Sequence, residues 1–303
     1  MGMTDTILRA QANGIELAYE TFGDPGDPAV LLVMGLGTQM LAWPDPLCDD
    51  LAGRGFHVIR YDNRDVGLSS HFDDLPVPTL RDIMLRRNIP YSVGDMAADA
   101  VGLLDALGVP AAHVVGASMG GFIAQSLALQ APTRVLSLTL MMTSTGSRLV
   151  GQARPKLYSR LVRRRHIKDR DAAAAAAVET FRLIGSTGFE VDEEHLRDIG
   201  GRSYDRRHDP AGYLRQLAAV SAQPNRTRDL RRLTVPTVVL HGLHDPLVAS
   251  SGGLALARAI PGARFVGYAG MGHDLPRALW PRFVDEIVTV AGAGVAGGAG
   301  RLR

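Results

Sequence analysis

The chain has 303 residues, of which 46% are hydrophobic and 21% charged, and its formal net charge is +2. That length can bury a full core, and so even a charge balance excludes any global electrostatic case for nucleic acid or an anionic membrane surface as partner. A single cysteine, Cys48, excludes an internal disulfide. With no basic stretch leading into an apolar run at the N-terminus, this predicts a cytoplasmic protein, and no apolar run is long enough to predict a membrane span.

The first predicted element is an alternating strand, Ile15 to Phe22, broken by Gly23-Asp24-Pro25-Gly26. Continuous apolar runs follow at Ala29 to Met34, His57 to Tyr61, His113 to Val115, Val135 to Met142, Val235 to Leu240 and Phe265 to Tyr268. Between them lie helical stretches, Met96 to Leu107 and Phe122 to Gln130. Short apolar runs separated by helices predict an α/β fold: a mostly parallel central sheet covered by helices on both faces. From Ser147 to Leu233 strand-like runs vanish and Arg-rich and Ala-rich helical stretches replace them, including Ala172 to Ala177. We expect residues 1–146 and 234–291 to form the core, 147–233 a helical cap, and 292–303 a flexible Gly/Ala-rich tail. The run Arg163-Arg164-Arg165-His166-Ile167-Lys168 reads as a solvated helix face rather than an anion grip.

Chemistry enters at Val114-Val115-Gly116-Ala117-Ser118-Met119-Gly120-Gly121-Phe122, where an apolar run leads through Gly-x-Ser-x-Gly into an apolar helix. The bare motif is weak, since a serine capping a closely packed helix would look the same. Strand before and helix after are the context of a nucleophile elbow, which holds a serine up on a sharp turn. Serine needs a base to take its proton, and the base needs an acid to orient it. Asp245 lies in the loop after Val238 to Leu240, and His273 in the Gly270-Met271-Gly272-His273 loop after Phe265 to Tyr268. All three positions fall just past strand ends, on the edge where parallel sheets bind ligands. Of the nine histidines, His57 and His113 begin strands at the opposite edge, and His241 and His244 precede or adjoin the acid. His273 alone combines position, order and a glycine-flanked loop. A rival acid position, after the strand that follows the elbow, holds Thr143-Ser144-Thr145-Gly146 and offers no carboxylate. A developing oxyanion needs fixed donors, and the backbone N–H groups of Leu36 and Met119 are the candidates. Met34, Trp43, Met141, Met142, Leu243 and Leu247 are the expected pocket residues, all apolar, which predicts a small-molecule ester substrate that is apolar rather than short and charged. No His or Cys cluster has metal-ligand spacing and no Gly-rich phosphate loop is present, so no metal and no cofactor is expected.

The chain resembles the α/β-hydrolase superfamily over nearly its whole length, and within it the aclacinomycin methylesterase type. The resemblance rests on Leu31-Leu32-Val33-Met34-Gly35, Trp43-Pro44-Asp45, His57 to Asp62, Asp95 to Val101, His113-Val114-Val115-Gly116, Ser118-Met119-Gly120, His244-Asp245-Pro246 and Gly270-Met271-Gly272-His273. It implies the α/β-hydrolase fold with an inserted cap, no cofactor, and a serine hydrolase with Ser118, Asp245 and His273 as triad. It also implies Leu36 and Met119 as oxyanion donors, and a carboxylic ester as substrate, a methyl ester on a bulky polyketide included. Met34-Gly35 stands where the superfamily more often has His-Gly, a departure shared with the methylesterase type. Leu80 to Pro90 reads as extra sequence, and the cap matches poorly. The same triad on another bond would make the chain a cofactor-free haloperoxidase, a lactonase or an iminopeptidase. For an iminopeptidase Glu190, Asp192, Glu193 and Glu194 would hold the substrate amine, whereas they read better as a solvated helix start. A non-catalytic binding protein on the same scaffold would be expected to lack a triad member.

Overall fold

The computed structural model describes residues 7–154, 157 and 167–298, without the side chains of 294–298. Arg163 to His166 of the basic run, and 299–303 of the tail, lie outside the described residues.

The strands are β1 (Leu8–Ala12), β2 (Ile15–Phe22), β3 (Ala29–Val33), β4 (His57–Tyr61), β5 (Ala112–Ala117), β6 (Val135–Met141), β7 (Thr237–Gly242) and β8 (Arg264–Tyr268). They form one sheet in the order β1-β2-β4-β3-β5-β6-β7-β8. β1 and β2 are antiparallel, β2 meets β4 antiparallel, and every pairing from β4 to β8 is parallel. A continuous apolar run is what such a strand requires, because successive side chains enter opposite cores. In β3, Leu31 and Val33 join one core with β5's Val114, while Val30 and Leu32 join the other with Val115. Each Val or Leu buried this way contributes about 1.5–3 kcal/mol relative to exposure.

The first core is covered by α3 (Val93–Ala106) and α4 (Met119–Gln130), the second by α1 (Asp45–Gly53) and the last helix, α10 (Trp280–Gly298). α3 starts before the apolar periodicity shows it. Ser92 accepts from Asp95 N–H and Asp95 closes the box on Ser92 N–H, which satisfies two of the helix's orphan donors. α2 (Leu80–Leu85) is built by the same device, Thr79 with Asp82, within the stretch read as extra sequence. α10 continues to Gly298, into the segment expected to be flexible.

Between β6 and β7 the described residues form helices and no strand: α5 (Arg170–Ile184), α6 (Glu193–Arg206), α7 (Pro210–Ala222) and α8 (Thr227–Leu230), with α9 (Ser251–Ala259) following β7. Ion pairs pin this inserted segment to the loop after β4. Arg206 of α6 meets buried Asp62, and Arg215 of α7 holds both oxygens of buried Asp65, at 2.8 and 2.9 Å. Single removal of either partner would leave a buried charge uncompensated.

His113, at the start of β5, is buried with its Nδ1 2.9 Å from Ser137 Oγ. Burial lowers its pKa from 6.5 to about 4. The unfolded chain therefore binds the extra proton first, and stability is lost as pH falls from 6.5 toward about 4. We expect the wild type to lose on the order of 2–3 kcal/mol relative to His113→Leu across that window. Urea unfolding of both at several pH values measures it, and parallel pH dependences would refute it.

Candidate active site

Ser118 stands between β5 and α4 with φ 55 and ψ −117, outside the regions a residue with a Cβ prefers. Such a conformation costs on the order of 1–3 kcal/mol and persists only where the surroundings impose it. The surroundings here are two close backbone approaches. A Cβ on Gly116 would lie 2.3 Å from the Gly120 carbonyl oxygen, and one on Gly120 would lie 2.0 Å from that of Val33. Only glycines let α4 descend this tightly onto β5 and β3, which is the reason for Gly-x-Ser-x-Gly.

Asp245 is buried in the loop after β7, where its Oδ1 accepts the N–H groups of Leu247 and Val248, both at 2.8 Å. Its Oδ2 accepts from His273 Nδ1 at 2.7 Å, and His273 Nε2 lies 3.0 Å from Ser118 Oγ. A carboxylate can only accept, so the proton sits on Nδ1 and Nε2 keeps a free lone pair for the serine hydroxyl. The three residues form one hydrogen-bonded line that can withdraw the serine proton.

The other two histidines of this region are committed elsewhere. His241 has no exposed surface, donates from Nε2 to the Val248 carbonyl at 2.8 Å, and burial lowers its pKa. It supports the Asp245 loop from behind. His244 Nδ1 accepts the Gly270 N–H at 2.9 Å and so steadies the His273 loop.

The loop after β3 passes directly over Ser118: a Cβ on Gly35 would lie 3.2 Å from Ser118 Cβ. Leu36 follows in that loop, and Met119 opens α4, where an N–H has no acceptor within the helix. Among the described residues neither amide has a protein acceptor.

The inserted segment reaches this site in a way the sequence did not signal. Ile184 carbonyl accepts His273 N–H at 2.7 Å, and Thr187 and Gly188 N–H groups both donate to Gly270 carbonyl, at 3.1 and 3.0 Å. Ser186 Oγ accepts Gly272 N–H and donates to Asp274 Oδ1 at 2.6 Å. Burial raises the Asp274 pKa, and its Oδ2 has no partner among the described residues.

The expected pocket residues divide. Trp43 and Met141 have no exposed surface and belong to the core under the site, so they do not form a pocket wall. A strand end specifies which edge a residue is near; the pleat decides which face its side chain enters. Leu243 is 47% exposed, and its side chain lies over Gly267 of β8. Met34 and Met142 are buried in the same core as Trp43 and Met141, and Leu247 is half-buried in the Asp245 loop.

One group among the described residues, Asp65, His71 and Asp209, has the spacing to hold a metal ion. Its oxygens are already spent. Asp65 accepts from Arg215, Tyr91 Oη and Phe72 N–H, and Asp209 accepts from His71 and the N–H groups of Ala211 and Gly212. The Arg215 guanidinium supplies the positive charge that a metal would bring. The acids Asp192, Glu193 and Glu194 cap and open α6, Asp192 accepting from His195 N–H at 3.0 Å, as a solvated helix start requires.

Residues 28–276 match the family described as alpha/beta hydrolase fold. The chain belongs to that family. A rhodomycin D methylesterase of Streptomyces sp. (strain C5) is 33% identical to this alpha/beta hydrolase over 88% of its chain and 91% of the relative's. Another rhodomycin D methylesterase, from Streptomyces peucetius, is 32% identical over the same shares. The crystal structure of an enol-lactonase from Burkholderia xenovorans LB400 superposes with a TM-score of 0.69 at 25% identity, covering 93% of this chain and 99% of that one. Among the described residues of this alpha/beta hydrolase, no helix is long and apolar enough to cross a membrane.

Proposed function

We propose that this alpha/beta hydrolase cleaves a carboxylic ester through an acyl-enzyme on Ser118, with His273 as base and Asp245 as its orienting acid. The observation that carries the reading is the unbroken line from Ser118 Oγ through His273 to Asp245, at 3.0 and 2.7 Å. Ser118 Oγ attacks the ester carbonyl as its proton passes to His273 Nε2, and Asp245 stabilises the resulting imidazolium. The tetrahedral oxyanion takes the Leu36 and Met119 N–H groups. Its collapse breaks the bond to the alcohol, which leaves with the proton from His273. Water then gives a proton to His273, attacks the acyl carbon and releases the acid and Ser118.

The segment 147–233 serves as the cap that shapes the substrate site. The half-buried apolar side chains of Leu36 and Leu247, in the loops beside Ser118 and Asp245, favour an apolar substrate, since a charge buried among them would lack a partner. The likeness to two rhodomycin D methylesterases supports a methyl ester of a bulky apolar substrate as the preferred class. The enol-lactonase likeness supports a second reading, in which the ester cleaved is intramolecular. Buried Cys48 needs no oxidising compartment, which supports the cytoplasm as the site of action.

A panel of aryl methyl esters, p-nitrophenyl esters, lactones and aminoacyl anilides tests the substrate class. Methanol release from bulky aryl methyl esters should exceed turnover of short charged esters by at least about tenfold. A preference for anionic substrates or anilides would overturn the methyl-ester assignment. A serine-directed organophosphate should label the protein at Ser118, as peptide mass mapping would show.

A further inference from the structure

The loop that carries Leu36 is a four-residue turn held from above by the cap. Thr38 N–H donates to the Gly35 carbonyl at 3.3 Å, and Gly37, third in the turn, has φ +63. That φ marks the type II form, which differs from type I by a flip of the central peptide plane. Here the central plane, Leu36 C=O to Gly37 N–H, is gripped at both ends. Thr38 Oγ1 donates to the Leu36 carbonyl at 3.1 Å, and Gly37 N–H donates to Gln216 Oε1 at 2.7 Å. Leu36 belongs to this plane and to the preceding one, so a plane that rotates would carry the Leu36 amide off its aim.

Gln216 lies on α7 and has no exposed surface. Its Nε2 donates to the Arg64 carbonyl in the loop after β4, at 2.7 Å. The carboxamide thus bridges two core loops, with its neighbour Arg215 anchored on Asp65. One helical turn earlier, the Tyr213 ring lies where a Gly37 side chain would be, 2.5 Å from that Cβ position. A buried amide satisfied at both ends in a low-dielectric interior has one stable orientation.

We propose that Gln216 is a positioning residue of the oxyanion hole: its Oε1, by accepting Gly37 N–H, holds the turn in the form that aims Leu36 N–H at Ser118. The proposal rests on the reading of Ser118 as nucleophile and Leu36 as donor. The cap then takes part in transition-state stabilisation, not only in substrate selection.

The discriminating variants are Gln216→Leu, which has no acceptor, and Gln216→Glu, which keeps an acceptor for Gly37 N–H in nearly the same shape. An alkyl boronic acid, which forms a tetrahedral adduct on a catalytic serine, is the probe of the oxyanion hole. In Gln216→Leu, kcat and boronate affinity should fall together by about 10- to 100-fold, because a misaimed donor costs its share of transition-state binding. KM should stay within about threefold, since the ground-state ester makes little use of that donor. Gln216→Glu, buried and so held as the neutral acid that accepts from Gly37 N–H and donates to the Arg64 carbonyl, should recover most of the boronate affinity. The proposal is overturned if folded Gln216→Leu binds boronate as wild type does, or if Gln216→Glu loses as much as Gln216→Leu. Should Gln216→Leu fail to fold, Gln216→Met against Gln216→Glu makes the same contrast. If wild type itself does not bind boronate, or Ser118→Ala binds it equally, the serine reading fails first and separately.

Discussion

Ser118→Ala is expected to abolish turnover while leaving the fold in place. The hydroxyl is the only group at the elbow that can form the acyl bond, and the variant loses an oxygen that faces His273 Nε2, not a packing contact. Alanine also accepts the backbone strain no worse than serine, because both carry the same Cβ at φ 55. Loss of a nucleophile of this kind typically costs about 10⁶-fold in kcat. Steady-state hydrolysis of the best ester, with circular dichroism of the same sample, is the measurement. A folded Ser118→Ala protein that turns over within about a hundredfold of wild type would remove Ser118 from the mechanism.

The second large effect is expected at the acid. Asp245 Oδ1 serves two backbone N–H groups, at 2.8 and 2.8 Å, so an amide in Asp245→Asn must place its carbonyl oxygen there. Its NH2 then faces His273 Nδ1, which has to become the acceptor. The ring proton moves to Nε2 and points at Ser118, where a lone pair is needed. Geometry is retained while the base is disabled, and kcat should fall roughly 10⁴-fold, about 5.5 kcal/mol of barrier. His273→Ala removes the proton carrier itself and should be at least as damaging. His244→Ala should keep a measurable rate, since that ring serves the loop through Gly270 N–H. Wild-type turnover by Asp245→Asn, or a dead His244→Ala beside an active His273→Ala, would require another base and acid.

These outcomes depend on residues whose selection needed little beyond chain order. Ser118, Asp245 and His273 each follow an apolar run, and in a parallel sheet every such position lies on one edge. The elimination of His241 and His244 rested on order alone. The structure adds the physical reason, a carbonyl and an amide that already engage them. Nearness to that edge alone did not specify a pocket wall. Trp43 and Met141 went into the core and Leu243 over β8, because the side a residue enters follows from pleat and twist that no local pattern reports. Helix limits were legible where a capping box announced them, as at Ser92 and Asp95, once the box is read ahead of the apolar period.

The amino-acid sequence by itself determined the class of sheet, the elbow at Ser118 and the chain order of Asp245 and His273 after it. These follow from short-range rules, namely two-residue alternation, glycine at close approaches, and loops at strand ends. Only the tertiary structure decided how the helical insertion meets the site. Gly37 and Gln216 are 179 positions apart, and Ser186 and Asp274 are 88 apart. The first contact arises from α7, pinned by Arg215 on Asp65, and the second from the loop after α5, whose Thr187 and Gly188 N–H groups hold the Gly270 carbonyl. Glutamine and serine at isolated positions carry no periodic signal. What makes them matter is the burial of a polar atom next to one particular partner, and burial is a property of the folded chain.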